Sequence, residues 1–233
     1  MNNLGTHTGA TAVTRTRTWS ITAWASLGWA LFTLLILHAV SSFNPLVDPL
    51  SRYAFSDHGG GMLAGSLLSF AVGVFAVRGA LLASGITFGR TTSVVVYATA
   101  LGLVLAALFP ASFTPEIDPV SGRIHQYASL IAFLCLPAIP FSLLDRLRDV
   151  AGLADAYAKL VRLLQISLGS LVLFGFSYVA QALPQTAVVL TASTLLPVGF
   201  TQRIVFVAYF CLLAALLLVA IRHARLRGTS HVN

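Results

Sequence analysis

The sequence predicts an all-α integral membrane protein: a bundle of six transmembrane helices with both termini cytoplasmic. Three observations carry that prediction. Of the 233 residues, 57% are hydrophobic and only 9% are charged, whereas an average soluble protein carries about 25% charged residues. Fourteen Lys plus Arg and seven Asp plus Glu cannot cover a water-soluble body of this size, so lipid must be the solvent. Six stretches free of Asp, Glu, Lys and Arg each approach the roughly 20 residues that cross a hydrocarbon core. The basic residues, finally, sit in short clusters between those stretches, the pattern that membrane insertion produces.

Residues 1–18 hold six threonines and two arginines and read as a disordered cytoplasmic tail. The transmembrane domain then occupies residues 19–221. Its first span, Trp19 to Val40, exceeds the roughly 7–15 apolar residues of a signal peptide, so cleavage is not expected. The second span, Gly60 to Val77, places Gly61, Gly65, Ser69 and Gly73 at four-residue intervals, a stripe nearly free of side chains that lets another helix approach closely. Ala98, Gly102 and Ala106 make a similar stripe on the third span, Thr92 to Phe109, which suggests a packed pair of spans two and three. A membrane-protein partner could dock on the same glycine face. Span four, Gln126 to Leu144, contains Pro137 and Pro140 and is expected to kink.

The uncharged gap from Leu163 to Gln202 could hold two spans, but Pro184, Pro197 and Gly199 punctuate its second half. It therefore reads as span five, Leu163 to Leu183, then an interfacial loop from Pro184 to Gln202 whose Ala187 to Leu190 dips into the bilayer surface. Span six is Ile204 to Ile221, and residues 222–233 form a basic cytoplasmic tail. With both termini on one side, eleven of the 14 basic residues fall there and only Arg52, Arg123 and Arg203 fall opposite. This positive-inside bias puts the termini in the cytoplasm and the chain in the cell membrane. It also accounts for the net charge of +7 through topology and anionic lipid headgroups, leaving no basic groove for nucleic acid. Cys135 and Cys211 lie in apolar runs without a metal or redox spacing. Phosphate-loop, nucleophile-elbow and dinucleotide motifs are absent, so no cofactor is expected.

Polar residues without an easy role gather at the outer helix ends. They are His38; Asp48, Arg52, Asp57 and His58; Glu116, Asp118, Arg123 and His125; and Gln202 with Arg203. Because no charge lies in mid-bilayer, a proton relay or an ion path is disfavoured, and a permease with it. Interfacial caps and salt bridges are one reading of the cluster. A metal site from His38, His58 and His125 is a second, which no H-x-x-x-H or H-E-x-x-H spacing supports. A pocket open to the outer leaflet is the third: His125 acts as acid or base beside Asp118, and Arg203 clamps an anion or headgroup.

These residues stand in short strings: Asp48-Pro49-Leu50-Ser51-Arg52-Tyr53 after span one, Phe109-Pro110 after span three, Asp118-Pro119 and Gly122-Arg123-Ile124-His125 into span four, and Gly199-Phe200-Thr201-Gln202-Arg203 into span six. In that order and placement the chain resembles the six-span bacterial membrane family catalogued as domain of unknown function nine-nine-eight, over nearly all of Trp19 to Ile221. The resemblance implies the six-helix fold and the cell membrane, and it brings no reaction with it. Family members often carry Glu where this chain has Gln202. The sequence thus points to Asp48, Arg52, Asp118, His125, Gln202 and Arg203 as a binding site for a membrane lipid or small amphiphile. A membrane-embedded hydrolase or isoprenoid-type cyclase using His125 and Asp118 is the alternative.

Overall fold

The computed structural model describes residues 4–56, 59–112, 118–184 and 186–229. Its helices are α1 (Leu4–Val40), the short 3-10 helix η1 (Leu50–Phe55), α2 (Gly59–Ala83), α3 (Arg90–Leu108), α4 (Pro119–Phe141), α5 (Leu144–Arg148), α6 (Ala154–Ala182), α7 (Ala187–Leu195) and α8 (Val198–Thr229). No strand occurs among the described residues. Six segments are long and apolar enough to cross a membrane, with α4 and α5 together making one of them. The protein is a multi-pass membrane protein, and burial agrees with lipid as its solvent. Small and aliphatic residues such as Ala23, Ala30, Ala100 and Leu212 fill the interior, while Trp24, Trp29, Phe32, Leu101 and Val172 face outward.

Two helices reach further than the charge gaps suggest. The structure continues α1 back to Leu4, through the segment the sequence assigns to a disordered tail. Hydroxyls there fold back on the carbonyl four residues earlier: Thr16 on Ala12 at 2.9 Å, Ser20 on Thr16 at 2.7 Å. Their polar groups are thereby satisfied inside the helix. Thr16 is buried, and Val13 lies against Gly228 near the end of α8, so the two terminal stretches pack side by side. The loop expected from Pro184 to Gln202 contains α7, and α8 begins at Val198. Gln202 and Arg203 consequently stand in the second turn of α8.

The helix pairing also differs from the expected one. α2 packs most extensively on α1, and α3 on α4, with α2 and α3 in lesser contact. The Ser66 hydroxyl donates to the Ala30 carbonyl of α1 at 2.8 Å, and Gly73 sits against Leu27. Gly102 is the close-approach point between α3 and α4: a Cβ there would lie 2.6 Å from the Ala128 carbonyl oxygen. Gly61 and Gly65 face open space. Four-residue glycine spacing identifies a bare face but says nothing about which neighbour uses it.

Pro137 and Pro140 lie inside α4. Pro137 has no N–H to offer the Phe133 carbonyl, its acceptor four residues back. The Tyr209 hydroxyl, on α8, donates to that carbonyl instead, the neighbour-helix repair that proline in a membrane helix requires. The start of α4 is fixed by Asp118, which accepts the Val120 amide at 3.1 Å, and by Pro119 in the first turn. The termini share one end of the bundle; η1 and the α3–α4 junction share the other.

Candidate functional site

The segment between α1 and α2 is shaped by its own short polar side chains. Asn44 Oδ1 accepts the Leu46 amide and Asp48 Oδ2 accepts the Asn44 amide, both at 2.9 Å, which closes a tight loop. Pro49 then starts η1. With three residues per turn, residues three apart eclipse one another. Leu50 and Tyr53 therefore turn into the bundle, where both are buried, while Ser51 and Ala54 line a cavity. The exposed Arg52 returns to Asp48 in a 2.8 Å salt bridge.

A knot of hydrogen bonds fastens this loop to the start of α8. Arg203 donates from Nε to His38 Nε2 at 2.7 Å and from Nη1 to the carbonyls of Asp48 (2.9 Å) and Gly199 (2.8 Å). His38 donates from Nδ1 to the Leu34 carbonyl at 2.6 Å, so one tautomer satisfies both ring nitrogens. The guanidinium lies 5.2 Å over the Tyr53 ring; its Nη2 is buried with no hydrogen-bond partner among the described residues. Gln202 Oε1 accepts the Leu50 amide at 2.7 Å, and the Phe200 amide donates to the Leu46 carbonyl at 2.8 Å. Gly199 permits the approach, since a Cβ there would stand 2.6 Å from the Asp48 carbonyl oxygen. Tyr53 donates to the Phe43 carbonyl at 3.2 Å. Burial pushes its hydroxyl above the usual tyrosine range, and the positive charge of Arg203 acts in the opposite direction.

The other predicted histidine lies in a different setting. His125 Nδ1 donates to the Ala106 and Phe109 carbonyls, at 2.9 and 2.8 Å. These belong to the last turn of α3, whose carbonyls lack helical donors. Ser121 reinforces the junction by donating to the Pro110 carbonyl at 3.1 Å. His125 Nε2 has no hydrogen-bond partner among the described residues and stands in the wall of a 160 Å³ cavity. The rest of that wall is Ser51 and Ala54 of η1, Gly60, Leu63, Ala64 and Leu67 of α2, and Ala106, Ala107, Pro110 and Ala111 after them. A 40 Å³ cavity lies beyond, sharing Leu67 and Ala106 and lined further on by Phe70, Phe133, Phe206 and Tyr209.

Of the residues singled out by sequence, Asp48, Arg52, Gln202 and Arg203 thus meet in one knot, and His125 faces a cavity across η1. Asp118 and His125 are not joined. Seven residue steps of helix set them about 10 Å apart along the axis, and the Asp118 carboxylate caps α4. Asp57, His58 and Glu116 lie outside the described residues. Among those described, no group of three His, Cys, Asp or Glu could hold a metal ion. The sequence suggested partners for His38 only as a metal set with His58 and His125, not Arg203, and gave no role to Tyr53, Ser51 or Gly199. All three stand in the quoted strings, and the one signal available was their position beside charged residues.

A family model described as "Protein of unknown function (DUF998)" matches residues 23–222. The chain belongs to that family. No curated protein and no solved structure matches it. The strings behind the resemblance occupy the two arrangements just described: Asp48 to Tyr53 with Gly199 to Arg203, and Phe109-Pro110 with His125. A Glu in place of Gln202 would retain an oxygen able to accept the Leu50 amide, so the Glu-to-Gln difference preserves the contact seen here.

Proposed function

We propose that the protein binds a small amphiphile drawn from the outer leaflet, its apolar part inside the cavity between η1, α2, α3 and α4. The observation carrying this reading is the cavity wall: mostly apolar, with His125 and Ser51 its only polar side chains among the described residues. Its 160 Å³ is close to the ~150 Å³ of an apolar cavity that takes up benzene, so it suits a short apolar body or part of one chain. The distribution of Lys and Arg supports a cytoplasmic position for both termini, and with it an outward-facing η1 end and cavity. In this reading Arg203, His38, Asp48, Arg52 and Gln202 do not touch the ligand. They hold η1 in place as one wall of the cavity.

Native mass spectrometry of protein gently extracted with its own lipids tests the reading. Ala64→Phe fills the cavity from α2 while leaving His125 and the Arg203 knot untouched. A discrete adduct in the wild type that disappears in Ala64→Phe is the expected result. An identical adduct pattern in both, or a bare protein mass in the wild type, overturns it.

A further inference from the structure

We infer that the ligand of this cavity is a neutral alcohol on a single apolar chain, not an anionic phospholipid; the inference rests on the cavity being a binding site at all. The argument begins with the proton on His125. Its Nδ1 donates to two carbonyls of α3, so Nε2 is the acceptor of this tautomer. Nε2 then offers a lone pair and nothing else, and the ligand atom facing it must donate. Ser51, in the wall that η1 contributes, has no hydrogen-bond partner among the described residues, and its hydroxyl both donates and accepts. A ligand hydroxyl complements the two walls, giving its proton to Nε2 and accepting from Ser51.

A phosphate or ionised carboxylate finds the wrong partners here. It has no proton for Nε2, and no Lys or Arg lines the cavity. Arg203 is committed to His38, Asp48 and Gly199, and Arg52 to Asp48. An ether has no proton to give and leaves Nε2 unsatisfied on desolvation. The width of the site sets the chain count. The neighbouring 40 Å³ space, which shares Leu67 and Ala106 and is lined by Phe70, Phe133, Phe206 and Tyr209, has room for the end of one chain and no second.

The test is a competition, read by native mass spectrometry, among 1-dodecanol, dodecyl phosphate and dodecyl methyl ether at equal concentration. On wild-type protein the alcohol adduct should exceed each of the others by about tenfold, the scale of one unsatisfied buried hydrogen bond. Ser51→Ala should weaken the alcohol adduct severalfold, and Ala64→Phe should abolish all three adducts. Phosphate or ether binding equal to or above the alcohol in the wild type overturns the inference. If that occurs while Ala64→Phe still removes every adduct, only the head-group assignment fails and the binding cavity stands. If Ala64→Phe keeps the alcohol adduct at the wild-type level, the cavity reading fails as well.

Discussion

His38 and His125 are used alike on one ring nitrogen and oppositely on the other. Each donates Nδ1 to backbone carbonyls, His38 to Leu34 one turn back on its own α1 and His125 to Ala106 and Phe109 at the end of the neighbouring α3. Only the acceptors of His125 lie at a helix end, where carbonyls lack helical donors; the Leu34 carbonyl lies inside α1. At Nε2 they part. His38 accepts from Arg203, which also holds Asp48 and Gly199, and its hydrogen bonding is complete. His125 lines a cavity, and its Nε2 has no hydrogen-bond partner among the described residues. A polar residue at a membrane helix end is thus uninformative about function until its second valence has been traced; here that valence separates a fastening from a site.

Breaking the fastening should produce the largest effect. Arg203→Ala would strand His38 Nε2 and the Asp48 carbonyl, each accepting a charge-assisted bond, and detach η1 from α8. A loss of about 3 kcal/mol or more is expected, visible as a lowered unfolding midpoint with faster amide exchange across residues 50–55. Arg203→Lys should recover only part of it, because one ammonium cannot reproduce the fork that reaches both His38 and the carbonyls. Unchanged stability in Arg203→Ala with loss of bound amphiphile would reverse the roles assigned to the two regions. Gly199→Ala strikes the same joint from the backbone side. Its Cβ must displace the Asp48 carbonyl, and about 1–3 kcal/mol is expected from such overpacking, with no change in which amphiphile binds.

The division between these regions was only partly legible in the sequence. Six spans followed from charge-free stretches, because the cost of burying charge in lipid acts on sequence directly. The helical run of residues 4–18 did not follow, since threonine reads as a loop former until its hydroxyl is seen to satisfy its own helix. The pairing of α1 with α2 was hidden for a similar reason: Ser66 and Gly73 mark close approach, but their partners, Ala30 and Leu27, carry no complementary signature. At the η1 end, the candidate residues were legible as a group of unexplained polar side chains. Their separation into two sets depends on backbone carbonyls and on the three-residue period of η1, and neither is written in side-chain chemistry. The cavity wall is quieter still, a scatter of alanines at positions 54, 64, 106, 107 and 111 that any tightly packed helix bundle would also contain.

A smaller effect sharpens the cavity side of the comparison. His125→Ala removes the donor shared by the Ala106 and Phe109 carbonyls, and a destabilisation of about 1–2 kcal/mol is expected, below that of Arg203→Ala because the arginine donates to more partners and carries a permanent charge. Retained amphiphile should fall with it. Ser51→Ala, by contrast, should leave the unfolding midpoint within about 0.5 kcal/mol of wild type while still altering ligand preference. A residue that affects binding without affecting stability is what the open region should contain and the fastened region should lack. If Ser51→Ala lowered stability as much as His125→Ala, the wall formed by η1 would be structural on both faces.

The weakest perturbation tests the fastened side at high pH. Tyr53 is fully buried beneath Arg203, and burial raises its hydroxyl pKa above the ordinary 10.0. In the unfolded chain the hydroxyl ionises near 10; in the folded chain it holds its proton longer. The folded state then binds more protons than the unfolded one as pH passes 10, so stability must fall with rising pH until the folded group also ionises. Below pH 10 the contribution is fully present and flat. Tyr53→Phe should cost about 1 kcal/mol at neutral pH through loss of the 3.2 Å bond to the Phe43 carbonyl, and it should make the alkaline decline shallower than in the wild type. An equally steep decline in Tyr53→Phe would mean that the ring under Arg203 ionises as freely in the folded chain as in the unfolded one. The knot would then admit water, and the contrast with the His125 cavity would rest on hydrogen-bond partners alone, not on a difference in solvation.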